Sequence, residues 1–107
     1  MAPPSAEAVA LHAMSVTEAA QLTQAFREAN PPGTTVGGYF DRAVLDQMLG
    51  ESGVAGVRVY YGLNPDGSPA LVVVGVDGQG NDLDDGTIAE KYRPCPPFCP
   101  DASALHQ

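Results

Sequence analysis

The sequence predicts an α+β domain in which two N-terminal helices pack on one face of a small antiparallel β-sheet of about three strands. Three observations predict this fold class. Apolar residues recur every three or four positions between residues 15 and 50, as on one face of a helix. From residue 56 onward they alternate with a period of two, as in a strand. Glycine and proline separate these segments, and a Pro-rich tail follows.

Length and charge limit the roles of the chain. Its 107 residues predict an N-terminal arm at 1–14, a single domain at 15–94 and a Pro/Cys-rich tail at 95–107. Thirteen acidic residues against five basic ones give a net charge of -8. Phosphate backbones and anionic membrane surfaces repel such a protein, so we expect neither nucleic acid nor membrane as a partner.

The first predicted helix lies in SVTEAAQLTQAFREAN. Ser15 and Glu18 have the spacing of a capping box, in which each side chain hydrogen-bonds to the backbone of the other residue. The apolar positions Ala19, Leu22, Phe26 and Ala29 fall on one face, which we expect to be buried. The run NPPG ends the helix, because proline cannot donate a backbone hydrogen bond.

The second predicted helix is FDRAVLDQMLG, after a Gly- and Thr-rich link. Phe40, Val44 and Met48 are four residues apart and would lie on one face. Gly50 is expected to take the left-handed conformation that commonly follows the end of a helix.

The strands follow in order. In GVRVYYGLN, the residues Val57, Val59, Tyr61 and Leu63 alternate with Arg58 and Tyr60. The run NPDGSP is typical of a turn, and ALVVVGVD follows at once, so we predict a β-hairpin. After the Gly-rich turn DGQGN, a third and weaker strand or a helical turn is expected within NDLDDGTIAEKY. The proline content after Tyr92 predicts no regular structure there.

The second strand of the hairpin is apolar on both faces, which is typical of a strand covered on both sides. Two helices cover only one face. Either the arm and tail or a second copy of the chain must therefore cover the other face, which carries Val72, Val74 and Val76. With Tyr60, these valines form the predicted interaction surface. Edge strands that lack charges or prolines give a second route to self-association. We therefore expect a non-enzymatic homo-oligomer.

The run VRVYYGLNPDGSPALVVVGVDGQGNDL followed by CPPFC resembles small bacterial α+β proteins with the same order of elements. These have helices, a YYGL…DG hairpin, a GVD-x-x-GND turn and a Cys-Pro-Pro tail. The resemblance covers roughly residues 15–100. It implies one domain and brings no activity with it.

The tail holds both cysteines, Cys95 and Cys99, in the run CPPFCP. Reduced structural thiols, a small disulfide and a metal or redox pair all remain open. A zinc ion would need four ligands, and the chain offers only His12 and His106 besides the thiols, unless a dimer supplies two pairs. A metal- or redox-responsive protein that uses this pair is the alternative to the self-associating module.

The acidic run DGQGNDLDDG fails the pattern of a calcium-binding EF-hand loop at two required positions. A looser oxygen site at Asp82, Asp84 and Asp85 is a weak candidate for a metal, and a solvated turn is the favoured interpretation.

Catalysis has no support in the sequence. There is no G-x-S-x-G motif, no cysteine with a well-placed histidine and no phosphate-binding glycine loop. We therefore predict no cofactor and assign no reaction. The N-terminus lacks the pattern of a secretory signal, and the longest apolar run, Ala70 to Val76, is too short to span a bilayer. The expected location is the cytoplasm.

Overall fold

A computed structural model describes residues 5–107. Three helices and five strands confirm the α+β class with small antiparallel sheets. In chain order they are α1 (Ala6–His12), α2 (Val16–Glu28), β1 (Gly37–Tyr39), α3 (Arg42–Gly50), β2 (Gly56–Leu63), β3 (Pro69–Val76), β4 (Ile88–Ala89) and β5 (Arg93–Cys95). None of the helices in this part of the chain has the length and apolar character needed to cross a bilayer.

The chain divides into two compact units. One, called here the helical unit, contains the residues up to Thr34 together with Cys99–Gln107. The other, called the sheet unit, is Thr35–Phe98. This division differs from the single domain over 15–94 expected from the sequence, since α2 groups with the C-terminal residues and β5 groups with the sheets.

In the helical unit, α2 begins where the sequence predicts. The Ser15 hydroxyl accepts a hydrogen bond from the Glu18 backbone N–H at 3.1 Å, and the Glu18 carboxylate accepts one from the Ser15 N–H, so the capping box is confirmed. The predicted burial of its apolar face is wrong. Neither α1 nor α2 contains a buried residue, and Leu22 on that face is 61% exposed.

In the sheet unit, the predicted hairpin forms. β2 and β3 pair antiparallel from Gly56 opposite Val76 to Leu63 opposite Pro69. Gly67 has a φ of 87°, which the turn between the strands requires. β4 is the weak third strand, and it pairs with β3 on the side away from β2.

The core of the sheet unit lies between α3 and the sheet. Met48 is fully buried against Val73 and Ala89, and Phe40 and Val44 pack around them. The Asp41 carboxylate accepts a hydrogen bond from Ala43 N–H at 3.0 Å and so caps α3. The expectation that Gly50 is left-handed is wrong. Gly50 is the last helical residue, and Gly53, with a φ of 85°, takes the positive value instead.

A second, two-stranded sheet joins β1 to β5, where the sequence predicted irregular structure. Gly38 in β1 lies directly against the ring of Tyr92, which leaves no space for a Cβ atom. Tyr92 also stacks on Phe40, with ring centroids 6.1 Å apart. The prediction failed because the backbone partner of this short Pro-containing segment is some 55 residues away in the chain, where no local pattern reveals it.

Candidate interaction surface

The three-stranded sheet has two faces, which its register defines. Val72, Val74 and Val76 share one face, and Tyr60 lies opposite Val72, so the predicted surface residues do come together on one face. Val74, however, is only 4% exposed in the isolated chain. The expectation that this valine lacks cover is therefore corrected, and Val74 is not available to a partner.

The other face carries the exposed apolar side chains of β2. α3 covers this face where β3 and β4 run, through Met48 on Val73 and Ala89. A helix of nine residues is about 13 Å long, and α3 packs on β3. In β2, Tyr61 is 91% and Leu63 78% exposed. The exposed apolar residues of β2 on this face, called here the edge stripe, are Val57, Val59, Tyr61 and Leu63.

The backbone of β2 also faces solvent along one side, because β2 is an edge strand. Asn64 N–H donates to Ser68 O at 2.8 Å, and hydrogen-bonded pairs recur at every second residue of an antiparallel ladder. The even-numbered residues of β2 therefore direct their N–H and C=O groups toward β3. The pairing of Leu63 with Pro69 agrees with this assignment, because Pro69 has no backbone N–H to donate to β2 at that position. The residues of the edge stripe direct their backbone groups outward.

A polar cluster on the opposite face ties β2 to the loop after β3. One carboxylate oxygen of Asp82 accepts a hydrogen bond from the Arg58 guanidinium, and the other accepts one from the Tyr60 hydroxyl at 2.5 Å. Arg58 also donates to Gly80 O at 3.2 Å. The hydrogen bond from Tyr60, followed by the interactions with Arg58, lowers the pKa of Asp82 below its usual value, despite some opposing desolvation. The pKa of Tyr60 is raised, chiefly by its bond to the Asp82 carboxylate.

This cluster leaves β2 without a net charge. Arg58 is the only charged residue in Gly56–Leu63, and Asp82 pairs with it. The strand also contains no proline and no lysine. Natural edge strands commonly use such residues to block pairing with another strand. β2 therefore lacks both of these protective residues at the edge of the sheet.

Cys95 and Cys99 are joined in a disulfide. Of the states left open by the sequence, this is the small disulfide. Cys95 is buried at the end of β5, where its carbonyl accepts a hydrogen bond from Val36 N–H at 2.8 Å. A ring nitrogen of His106 lies within 4.8 Å of the Cys99 sulfur, and the buried Nδ1 of that ring has no hydrogen-bond partner among the described residues.

The three aspartates proposed as weak metal ligands do not form a common site in the described part of the chain. Asp82 uses both carboxylate oxygens for Arg58 and Tyr60, whereas Asp84 and Asp85 are exposed. Their loop has the geometry of a turn, because the Asp77 carboxylate accepts hydrogen bonds from Gln79 and Asn81 N–H at 2.9 Å each. This arrangement agrees with the solvated turn that the sequence favoured.

Comparisons with known proteins identify no relative of this chain. No protein-family model matches the chain, and searches of curated proteins and of solved structures return no match. The resemblance drawn from the hairpin and tail motifs therefore stays a prediction, and the candidate surface is defined by the geometry of this chain alone.

The predicted surface residues share one face of the sheet, where Val74 is buried and Tyr60 is 46% exposed, and the most exposed apolar residues of β2 lie on the other face. The period of two did place Val57, Val59, Tyr61 and Leu63 on one side, and the lack of protective residues at strand edges was a relevant signal. Which strand lies at the edge depends on the pairing of β3 with β4, a two-residue strand with almost no local signature. That pairing decides which apolar residues are exposed.

Proposed function

We propose that this protein is a non-enzymatic, self-associating interaction module that uses its sheet to bind a second copy. The single observation that carries the proposal is the edge stripe, in which four apolar side chains and their outward backbone groups lie together on one unprotected strand. Contiguous apolar patches on a protein surface commonly mark interaction sites.

The exposed fractions along β2 support the proposal. Val57 and Val59 are 44% and 48% exposed, and Tyr61 and Leu63 are 91% and 78% exposed. A contact that covers these four side chains would remove apolar surface from water, which favours association.

Charge supports a contact at β2 in particular. Two chains that each carry a net charge of -8 repel one another over most of their surfaces. β2 contains no acidic residue, and its one cation is neutralised by Asp82. Contact through β2 therefore brings no uncompensated like charges of this strand together. Because salt screens the remaining repulsion, association is expected to strengthen as the salt concentration rises.

Light scattering coupled to size-exclusion chromatography tests the proposal. The unmodified chain is expected at twice its 11.1 kDa mass, with the dimer fraction falling on dilution. Tyr61→Lys places an uncompensated charge in the edge stripe and is expected to give monomer. The matched control is Leu22→Lys, an apolar position on α2 that is 61% exposed, which should leave the dimer intact. A mass of one chain at every concentration for the unmodified protein would overturn the proposal.

A second candidate is a redox-responsive protein, and the disulfide at the end of β5 is the observation that favours it. A dithiol reductant would convert the bond into two thiols and would itself be oxidised to a disulfide. Since Cys95 is the last residue of β5, opening the ring is expected to loosen the pairing of β1 with β5.

Two measurements test this candidate. Thiol titration during stepwise addition of reductant should release both thiols within the range of cellular redox potentials, and hydrogen exchange should speed up at β1 and β5 but not at β2 and β3. Resistance of the disulfide to reduction in the folded protein, or unchanged exchange at β1 and β5, would eliminate it. Metal analysis of the reduced protein after addition of zinc tests whether Cys95 and Cys99 bind a metal. Absence of bound zinc would eliminate that form of the candidate.

A further inference from the structure

We propose that two copies pair β2 with β2 antiparallel about a two-fold axis at Tyr60, so that the two three-stranded sheets form one continuous sheet of six strands. This inference rests on the proposed self-association and adds the orientation and register of the contact. It names the partner as an identical chain and predicts which residues of the two copies lie opposite each other.

The orientation follows from symmetry and from the free backbone groups. A closed dimer of identical chains places the same surface on both sides of a two-fold axis. When two edge strands join side by side, an axis perpendicular to the sheet makes them antiparallel and keeps each face on its own side. Residues opposite one another must then belong to the same face. Odd-numbered residues of β2 therefore pair only with odd-numbered residues, and even-numbered with even-numbered.

The register follows from the edge stripe. Pairing about Tyr60 places Val59 opposite Tyr61 of the second copy and Val57 opposite Leu63 of the second copy. All four residues of the stripe direct their backbone groups outward, so each N–H and each C=O finds a partner across the interface. The same pairing brings β-branched side chains beside aromatic and aliphatic ones, which are favourable cross-strand pairs.

The neighbouring registers satisfy fewer groups. An axis at Val59 carries Leu63 past the end of the second strand, and this side chain, 78% exposed in the isolated chain, would stay exposed. An axis at Arg58 carries both Tyr61 and Leu63 past the end of the second strand, which begins at Gly56. An axis at Tyr60 sets Arg58 opposite Gly62 of the second copy, so that Arg58 faces no charged side chain there. The side chains at the axis are then two Tyr60 rings, each still able to donate its hydroxyl to its own Asp82.

Disulfide cross-linking tests the register, with the native disulfide between Cys95 and Cys99 kept intact. At a two-fold axis, the Cα atoms of a non-hydrogen-bonded pair are about 4.5 Å apart, within the range that a disulfide spans. Tyr60→Cys is therefore expected to form a covalent dimer at least about tenfold faster than Val59→Cys, whose Cα atoms would be about 8 Å apart. Peptide mass spectrometry identifies the linked residues. Faster linkage of Val59→Cys would overturn the register.

A mixture provides the matched control. Val59→Cys and Tyr61→Cys lie opposite each other in this register, so a mixture of the two variants should cross-link far more than either variant alone. If the unmodified chain is a dimer but neither Tyr60→Cys nor this mixture cross-links, the β2 pairing is wrong and the proposed self-association stands on another surface. If the unmodified chain is a monomer, the proposed function itself fails.

Proline tests the hydrogen bonds across the interface. The Tyr61 N–H faces outward, so Tyr61→Pro removes no hydrogen bond from the β2–β3 ladder but blocks a donor to the second copy. Tyr61→Ala removes the same side chain and keeps the N–H. By symmetry two hydrogen bonds are lost per dimer, and Tyr61→Pro is expected to raise the dissociation constant at least about tenfold over Tyr61→Ala. Circular dichroism confirms that both variants fold, and equal dissociation constants would contradict strand pairing.

Discussion

The sheet unit and the helical unit differ in how they bury their apolar residues. In the sheet unit, α3 covers Val73 and Ala89 with the fully buried Met48. In the helical unit, neither α1 nor α2 contains a buried residue. This holds although α2 is longer than α3 and has a capping box. Its start is defined by the capping box at Ser15. The start of a helix and the burial of its apolar face therefore have different causes. Local hydrogen bonds define where the helix begins, whereas burial depends on which other parts of the chain pack beside it.

Replacing the buried residue of the sheet unit should have the largest effect. Met48→Ala leaves a cavity beneath Val73 and is expected to lower the free energy of unfolding by about 2–5 kcal/mol, as measured by chemical denaturation. Leu22→Ala, on the exposed face of α2, should change it by less than about 0.5 kcal/mol. Similar losses for the two variants would mean that the face of α2 is covered in solution, and the contrast between the units would disappear.

The second sheet offers a sharper comparison within the sheet unit. Gly38→Ala would put a Cβ atom 1.5 Å from the Tyr92 ring, so the ring or β1 must move, with an expected loss of about 1–3 kcal/mol. Gly37→Ala has no heavy atom within 4 Å of the new Cβ and serves as the control. Denaturation curves for both variants measure the difference. Equal stabilities would show that the contact between β1 and Tyr92 is not maintained.

In the helical unit, the strongest expected effect is local. Ser15→Ala removes the acceptor for the Glu18 N–H and should destabilise the first turn of α2 by about 1 kcal/mol. Hydrogen exchange of the amides of α2 measures this loss even if global unfolding is unaffected. Thr17→Ala, a neighbouring exposed hydroxyl, is the control. Faster exchange in the sheet unit would contradict a purely local role for the cap.

The same distinction explains what the sequence predicted well. The capping box, the α3 segment, the hairpin and its Gly67 turn depend on residues near one another in the chain, and all four were predicted from local patterns. The third strand was expected only weakly, because β4 has two residues. The β1–β5 pairing was missed, since nothing in GGY or RPC indicates a partner that far along the chain.

The site was predicted less well for a related reason. The sequence identified an apolar sheet as a candidate interaction surface, but the exposed part depends on which strand lies at the edge and which face α3 covers. Both are tertiary properties. The same holds for the cysteines, whose spacing allowed several states, and for Asp82, whose carboxylate binds Arg58 and Tyr60 from another strand.

The smallest expected effect concerns this polar cluster of the sheet unit. Asp82 has a lowered pKa, so its contribution to stability is present above its usual pKa, near 3.8, and is lost as the pH falls through the lowered value. Tyr60 has a raised pKa, so its contribution is present below its usual pKa, near 10, and is lost as the pH rises through the raised value. Between these limits the cluster is expected to hold the loop against β2.

Replacing the acceptor tests this assignment. Asp82→Asn removes the negative charge that favours the protonated phenol, so the pKa of Tyr60 should fall toward its ordinary value, or below it because of the neighbouring Arg58. Ultraviolet absorbance of phenolate during alkaline titration follows this change, and Tyr60→Phe identifies which tyrosine is observed. Asp84→Asn, an exposed aspartate of the same loop, is the control. If the phenol of Tyr60 titrates alike in Asp82→Asn and Asp84→Asn, the carboxylate of Asp82 does not bind Tyr60 in solution. The charge of Arg58 on β2 would then lack the neutral cluster that the structure places around it.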